Sequence, residues 1–395
     1  MRLSVLSAVS SGSVRRTGVL LAAGVAALAI LAGCGGGDST SGGGESAGIP
    51  FGTAEWQTDF SQRSVELSEF ASGGPPKDGI PAIDDPRFVS VGQADEFLED
   101  REPVAVLQRG GEVRAYPFQI LIWHEIVNDE IAGEPVAVTF CPLCNSTVAF
   151  SRDLDGRTLD FGTTGKLRNS DLVMYDRQTE SWWQQITAEA IVGELTGAKL
   201  EILPSQTLSW GDLRTQHPEA TVLSRETGFS REYGSNPYVG YDDPDSQPFL
   251  LDGKADDRLP PKERVTAIKA GSSAVVYPFS RLQREAPIND EIGGSPAVVL
   301  FDPEVASALD TQVIADGRSA GAAAVFERRL DGRLLSFEAG SEPGSFRDRQ
   351  TGSTWEIDGT ASAGPLSGER LEPIPSDDQF WFALAAFFED VDIRG

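Results

Sequence analysis

Short runs in which hydrophobic and polar residues alternate occur along much of the chain, and turn residues separate them. "VAVLQ" and "VRAY" flank a Gly-Gly pair within residues 104–116, and "FSRDLDGRTLDF" (150–161) places Asp155-Gly156 between two alternating arms. Such runs joined by Gly-Gly or Asp-Gly are typical of β-hairpins. The segments 208–220 and 376–390 favour helices instead. The pattern predicts a mainly β fold, of the α+β type with few short helices.

The same motifs occur twice, in the same order. "IVNDEIAGEPVAVTFCP" (126–142) returns as "PINDEIGGSPAVVLFDP" (287–303), and "DRQTESWW" (176–183) returns as "DRQTGSTW" (348–355). Repeated order of this kind indicates a tandem duplication of a hairpin-rich unit. The predicted organisation is a lead-in segment (51–103), repeat 1 (104–227), a connector rich in Pro, Gly, Asp and Tyr (228–264), and repeat 2 (265–395). Two such copies often pack as a pseudo-symmetric pair.

The N-terminus has the features of a lipoprotein export signal. Basic residues precede the uncharged apolar stretch 17–33, which ends in the lipobox-like sequence Leu31-Ala32-Gly33-Cys34. We therefore predict a signal peptide at 1–33, lipidation at Cys34 and a Gly/Ser-rich tether up to residue 50. This predicts an extracytoplasmic protein of the cell envelope, lipid-anchored to the cell membrane. Export through the general pathway and export through the twin-arginine pathway, suggested by Arg15-Arg16, both remain open.

The charge balance excludes one large class of partners. The chain has 60 acidic and 33 basic residues, for a formal net charge of −27. A surface of that charge repels phosphate backbones, so nucleic-acid binding is not expected. "FGTTGKLRNSD" (161–171) fails as a phosphate-binding loop because Asp160 and Leu167 stand where that motif requires Gly and Ser or Thr. No nucleotide cofactor is indicated.

Comparison of the two copies singles out the cysteines. Once Cys34 is set aside, only Cys141 and Cys144 remain, and Asp302 stands where Cys141 would be in copy two. Copy two therefore folds without this thiol. The two histidines, His124 and His217, also lie in copy one, as does Met174. This clustering predicts that copy one carries the functional site and that copy two is a scaffold.

The form of the cysteine pair favours a metal site. "CPLCN" between two strand-like runs resembles the metal-binding knuckle of rubredoxins, with Asn145 at a position that often requires a positive φ. His124, expected on the neighbouring "WHEIV" strand, is the candidate third ligand, and Met174 or His217 the candidate fourth. Thiolates and imidazole suit copper or zinc, with copper slightly preferred. A Cys141–Cys144 disulfide and a catalytic thiolate with His124 as base remain open alternatives.

A densely polar stretch supplies candidates for a ligand pocket. Copy two has no close equivalent of residues 168–171, so Arg168, Asn169 and Asp171 are candidate pocket residues. Trp182 corresponds to Thr354 in copy two, so fold maintenance does not require it, and with Gln185 it is a further candidate for the pocket wall.

Several long motifs together resemble one known family. "WHEIVND", "TFCPLCNSTVAF", "FGTTGKLRNSDLVMYDRQTESWWQQ" and "GSNPYVGYDDPD" are similar to the bacterial and archaeal family catalogued as domain of unknown function 3179, from about Gly73 to the end of the chain. The resemblance implies an exported or membrane-attached protein. It supplies no established reaction.

The sequence thus leads to one hypothesis with two rivals. The first is an exported lipoprotein that binds copper or zinc at a Cys-Pro-x-Cys/His site, for metal handling or surface redox chemistry. The second is a metal-free thiol–disulfide oxidoreductase, and the third a non-enzymatic binding or assembly module with a structural disulfide. Whether the protein is an enzyme stays open. The membrane is the expected partner through the lipid anchor, together with an unidentified protein or small molecule.

Overall fold

The structure, a computed structural model, describes residues 51–394. The predicted signal peptide, Cys34 and the tether lie outside these described residues. Strands dominate the described part of the chain, and five short α-helices interrupt them. None of these helices is long and apolar enough to cross a membrane. The predicted mainly β fold is confirmed.

The first half contains most of the strands. After a short 3₁₀ helix (Leu67–Glu69), its elements are β1 (Phe70–Ser72), β2 (Phe88–Ser90), α1 (Val91–Ala94), β3 (Pro103–Arg109), β4 (Glu112–Pro117), α2 (Phe118–His124), β5 (Ile126–Ile131), β6 (Glu134–Cys141), β7 (Ser146–Ser151), β8 (Asp153–Leu154), β9 (Arg157–Thr158), β10 (Phe161–Arg168), β11 (Asp171–Asp176), β12 (Trp182–Gln184), β13 (Glu189–Val192), β14 (Ile202–Leu203), β15 (Ser205–Ser209), α3 (Trp210–Gln216) and β16 (Thr221–Leu223).

The second half begins after a long segment, 224–263, that contains neither helix nor strand. Its elements are β17 (Arg264–Ala270), β18 (Ser273–Pro278), α4 (Phe279–Glu285), β19 (Ile288–Ile292), β20 (Ser295–Asp302), a 3₁₀ helix (Ile314–Asp316), β21 (Ala322–Glu327), β22 (Arg329–Leu330), β23 (Arg333–Leu334), β24 (Phe337–Ala339), β25 (Ser345–Asp348), β26 (Thr354–Glu356), β27 (Ala361–Ala363), β28 (Asp377–Phe380), α5 (Trp381–Phe387) and β29 (Asp390–Ile393).

The sheets of the two halves have corresponding strand orders. The order β15-β3-β4-β16 of the first half matches β28-β17-β18-β29 of the second, and in both sheets only the last pair is parallel. The hairpin sheet β5-β6-β7 likewise matches β19-β20-β21, and β10-β11-β12-β13 matches β24-β25-β26-β27. Individual contacts also match, since Trp183 Nε1 donates to Asp176 at 2.9 Å and Trp355 Nε1 donates to Asp348 at 3.0 Å. The two halves thus have similar strand orders, and the tandem duplication stays a prediction from the repeated motifs.

The two halves share their hydrophobic core. One cluster of buried residues contains Phe140 and Phe150 from the first half together with Leu309, Phe380 and Phe382 from the second. A second cluster likewise mixes residues of both halves. The second half therefore contributes directly to the surroundings of the cysteine hairpin.

The expectation of a strand at "WHEIV" is wrong for its first residues. Residues Phe118–His124 form α2, which starts after Pro117 in the extended conformation, and the strand begins only at Ile126. Apart from Gln119, the run before His124 is apolar, and such a run does not distinguish a buried helix from a buried strand. His124 is consequently the last residue of a helix rather than a strand residue facing β6.

Candidate functional site

A tight hairpin holds the two cysteines. Cys141 ends β6 and pairs with Ser146 at the start of β7, so Cys144 lies in the four-residue loop between them. Asn145 has φ of 51°, the left-handed conformation that asparagine tolerates better than most residues, and its N–H donates to Pro142 O at 3.3 Å. Both cysteines are buried and free of a disulfide. The loop thus has the turn that the "CPLCN" sequence predicts.

A second hairpin brings Asp171 to the cysteines. Asn169 and Ser170 form the turn between β10 and β11, with φ of 49° and 70°, and Arg168 pairs with Asp171 across it. Two successive positive φ values are the mark of a type I′ hairpin turn. The two sulfur atoms and one carboxylate oxygen of Asp171 all lie within 4.8 Å of one another. Asp171 was predicted as a pocket residue, and the structure places it beside both thiols.

The Asp171 carboxylate is only half satisfied. Its Oδ2 accepts hydrogen bonds from Gln184 Nε2 at 2.6 Å and from the Ile186 N–H at 3.1 Å. Its Oδ1 is buried and has no hydrogen bond of normal geometry from any described residue. Burial raises the pKa of Asp171 to about 6, although these hydrogen bonds and the nearby Cys144 thiol oppose the rise. A buried acceptor of this kind is unfavourable unless something else binds it.

Both thiols are protonated at neutral pH in the absence of a cation. Burial raises the pKa of Cys141, and it raises that of Cys144 further, with additional contributions from the Cys141 thiol and Asp171. Gln185 supports the hairpin that carries them, because it accepts from Ser146 Oγ at 2.8 Å and donates to Thr139 Oγ1 at 3.0 Å. Gln185 therefore positions the cysteine hairpin rather than lining an open pocket.

Glu125 and a cavity lie next to this cluster. Glu125 follows α2 in the left-handed conformation, with φ of 59°, and its side chain is buried. Burial, with the charge of Asp171, raises the pKa of Glu125 to about 8. Glu125 lines a cavity of about 380 Å³ whose walls are mostly apolar and aromatic. Its principal wall residues are Leu143, Leu167, Leu172, Tyr238, Tyr241 and Phe249.

The ring nitrogens of His124 contact partners other than the cysteines. Its two ring nitrogens lie 2.7 Å from Pro81 O and 2.7 Å from Tyr233 Oη. Burial lowers the pKa of His124, so its imidazole is neutral at pH 7. Among the described residues, the group that brings metal-ligating atoms together contains Cys141, Cys144 and Asp171, without His124.

The other predicted ligands also have separate environments. Met174 is fully buried in β11, opposite Trp183 of β12. His217 follows α3, and its Nε2 lies 3.0 Å from Asp358 Oδ2, a residue of the second half. The structure therefore shows packing at Met174 and an ion-pair geometry between the halves at His217.

Two of the predicted pocket residues support the fold around the site. Arg168 forms an ion pair with Glu69 at 2.7 Å. Trp182 is fully buried within an aromatic cluster. The rings that contact it belong to Phe51, Trp56, Phe60 and Phe70. Trp182 therefore packs in a core and does not line the cavity.

Sequence reasoning missed Glu125, Tyr238 and Tyr241. Comparison of the copies carried a signal for Glu125, since Ala286 is its counterpart. The two tyrosines lie in the connector, which has no counterpart in either copy. Only the fold brings this segment over the cysteine hairpin.

The fold and the site define a mainly β protein with a buried Cys-Cys-Asp cluster in one of two similar halves. The chain belongs to the family described as Protein of unknown function (DUF3179), whose sequence pattern matches residues 77–391. No curated protein and no solved structure matches the chain significantly. This match confirms the resemblance seen in the cysteine and "FGTTGK" motifs. The description of the family names no reaction.

Proposed function

We propose that this protein binds a zinc or copper ion through Cys141, Cys144 and Asp171, as a lipid-anchored metal-handling protein outside the cytoplasm. The observation that carries this proposal is the unpartnered Oδ1 of Asp171, buried beside two buried thiols. Asp171 takes the third position that the sequence assigned to His124. A cation there offsets the cost of burying the carboxylate and stabilises both thiolates.

The ligand set bears on which metal binds. Two thiolates suit both Cu(I) and Zn(II), whereas a carboxylate oxygen is a common zinc ligand and a poor one for Cu(I). The presence of Asp171 in place of an imidazole therefore shifts the preference towards zinc. Three protein ligands leave one tetrahedral position for a further group, which is the arrangement of catalytic zinc sites.

Metal content of the exported full-length chain tests the proposal. We expect about one zinc or copper ion per chain by mass spectrometry, and a loss of at least about tenfold in retention in Cys141→Ser, Cys144→Ser and Asp171→Asn. His124→Gln should retain the metal, because both nitrogens of that ring are engaged elsewhere. Absence of metal from the wild-type chain, or retention at the wild-type level in both cysteine variants, would contradict the proposal.

The metal-free thiol–disulfide oxidoreductase is the second candidate. It is favoured by the free, adjacent cysteines and by the neighbouring Asp171, whose carboxylate is able to accept a thiol proton. Burial and the raised pKa of both thiols oppose it, since reactive cysteines are exposed and thiolate-rich. Rapid alkylation of both thiols in the native, metal-free chain would favour this candidate. Slow alkylation together with bound metal favours the metal site.

The predicted membrane anchor forms part of the same proposal. The apolar stretch that ends at Cys34 supports it. Labelling with a fatty-acid probe should mark the wild-type chain and disappear in the Cys34→Ser variant. A Cys34→Ser variant that still takes up the fatty-acid label would contradict lipidation at Cys34.

A further inference from the structure

We propose that the cavity beside the cysteine cluster is a separate binding site for an organic amine, whose ammonium group pairs with Glu125 and whose apolar body fills the space towards Phe249. This site is distinct from the metal ligands, because neither cysteine nor Asp171 lines the cavity.

The cavity has the size and lining of a small-molecule site. Its volume of about 380 Å³ falls within the range of about 300–1,000 Å³ that is usual for ligand pockets. Leucine side chains from the cysteine loop, β10 and β11 form one part of the wall, and connector aromatics form another. Phe249 is 47% exposed, so the connector side reaches solvent.

Glu125 is the acidic residue of this largely apolar lining. The residue is 7% exposed. Within the described part of the chain, no hydrogen bond or ion pair engages its carboxyl group. Burying such a group without a partner is costly, so a ligand that brings a donor to it gains binding energy. An ammonium group donates to this carboxyl group and, unlike a neutral donor, favours its ionised form, which burial alone disfavours.

The aromatic wall suits a cation. Tyr238 and Tyr241 both line the cavity, and a tyrosine ring attracts an ammonium placed over its face. The ring of Tyr241 already has one such cation contact, since Lys262 Nζ lies 3.4 Å from its centroid. Lys166 also lines the cavity, but its ammonium lies 5.5 Å from the ring of Phe51, which is outside the lining.

The charge of the whole chain favours the same class of ligand. A net charge of −27 raises the local concentration of cations and repels anions. The expected ligand is therefore an aromatic or aliphatic amine, and a fatty acid or another anionic amphiphile of similar size is disfavoured.

Titration calorimetry on the full-length chain tests the site with two probes of matched shape, tryptamine and its neutral alcohol, tryptophol. We expect tryptamine to bind at least about tenfold more tightly than tryptophol. Glu125→Gln should weaken tryptamine at least about tenfold and remove the difference between the probes. Glu130→Gln is the matched control, because Glu130 is an exposed acid on the adjoining strand β5.

Further variants keep the test decisive if Glu125→Gln fails to fold. Leu167→Trp fills the cavity without touching the acid, and it should abolish binding of tryptamine. Tryptamine should still bind after treatment with a chelator, which separates this site from the metal site. Equal binding of the two probes to the wild-type chain, no binding of either, or full tryptamine affinity in both Glu125→Gln and Leu167→Trp would overturn the inference.

Discussion

Asp171 is the residue on which the acid–base behaviour of the metal-free site depends. Burial raises its pKa from 3.8 to about 6. An acid whose pKa is higher in the folded than in the unfolded chain binds its proton more tightly when folded. The stability that protonated Asp171 contributes is therefore present in acid and is lost as pH rises from 3.8 through about 6. A bound cation removes this loss of stability at higher pH, because it favours the ionised carboxylate.

We predict that Asp171→Asn stabilises the metal-free chain at neutral pH. A rise of about two pH units in pKa corresponds to an upper limit of about 3 kcal/mol in the free energy of unfolding. Asparagine needs no proton, and its oxygen still accepts from Gln184 and Ile186. Urea denaturation should show the variant more stable than the wild-type chain at pH 7.5 and equal to it at pH 4.

The control for this prediction is Asp153→Asn, an exposed aspartate in β8. It should change the unfolding free energy little at either pH. A loss of stability in metal-free Asp171→Asn at pH 7.5 would show that the ionised carboxylate already has a favourable partner. With metal bound, the order should reverse, because the variant lacks one ligand.

At the scale of single elements, the cysteine loop depends on its last residue. Asn145 has φ of 51°. A residue other than glycine loses about 1–2 kcal/mol in this conformation, and a β-branched residue is least suited to it. We predict that Asn145→Val lowers the free energy of unfolding by about 1–2 kcal/mol relative to Asn145→Gly, measured by urea denaturation. Equal stability of the valine and glycine variants would mean that the loop adopts another conformation.

The hairpin elements could be predicted from sequence because their signals are local. Asp155-Gly156 predicts a two-residue turn, and both residues have positive φ, 53° and 79°. Gly110-Gly111 joins β3 and β4 in the same way. In each case the dipeptide that makes the turn is visible in the sequence, so no distant contact is required.

The composition of the site could be predicted only in part, because its contacts are distant in sequence. Cys141 and Cys144 share a loop, but Asp171 reaches them only through the turn at Asn169-Ser170. That turn has no Gly, so its type I′ geometry was not evident from the sequence. His124 was misplaced for a related reason, since the apolar run before it gives no period from which to assign a helix.

At the scale of the molecule, corresponding residues of the two halves make the same contacts in different surroundings. Asn128 Nδ2 donates to Phe161 O at 2.8 Å, and Asn289 Nδ2 donates to Phe337 O at 2.8 Å. Asn128 is buried, whereas Asn289 is exposed. The same pair of hydrogen bonds is therefore buried in the half that carries the site and more exposed in the other half.

This difference leads to a prediction about paired substitutions. Asn128→Ala should lower the free energy of unfolding by about 1–3 kcal/mol, because it leaves buried backbone groups without partners. Asn289→Ala should cost less than about 1 kcal/mol, because water replaces the lost hydrogen bonds. Urea denaturation of the two variants makes the comparison. An equal loss of unfolding free energy in the two variants would contradict this prediction.

The second half also closes the site of the first. Phe380 belongs to the same core cluster as both cysteines, and its N–H donates to Cys144 O at 2.8 Å. Phe279 is equally a buried phenylalanine of the second half, but it packs in a cluster formed entirely by that half. The two residues therefore separate a local effect on the site from a general loss of stability.

We predict that Phe380→Ala weakens metal binding and that Phe279→Ala does not. Each substitution should cost about 3–5 kcal/mol of unfolding free energy, because each leaves a cavity in a core. Only Phe380→Ala removes packing from the cysteine loop, so only it should lower metal affinity, by about tenfold or more in competition with a chelator on the folded chain. If both variants kept wild-type affinity, copy two would stabilise the fold without shaping the site. If both lost affinity equally, the metal site would respond to global stability and not to the Phe380 side chain.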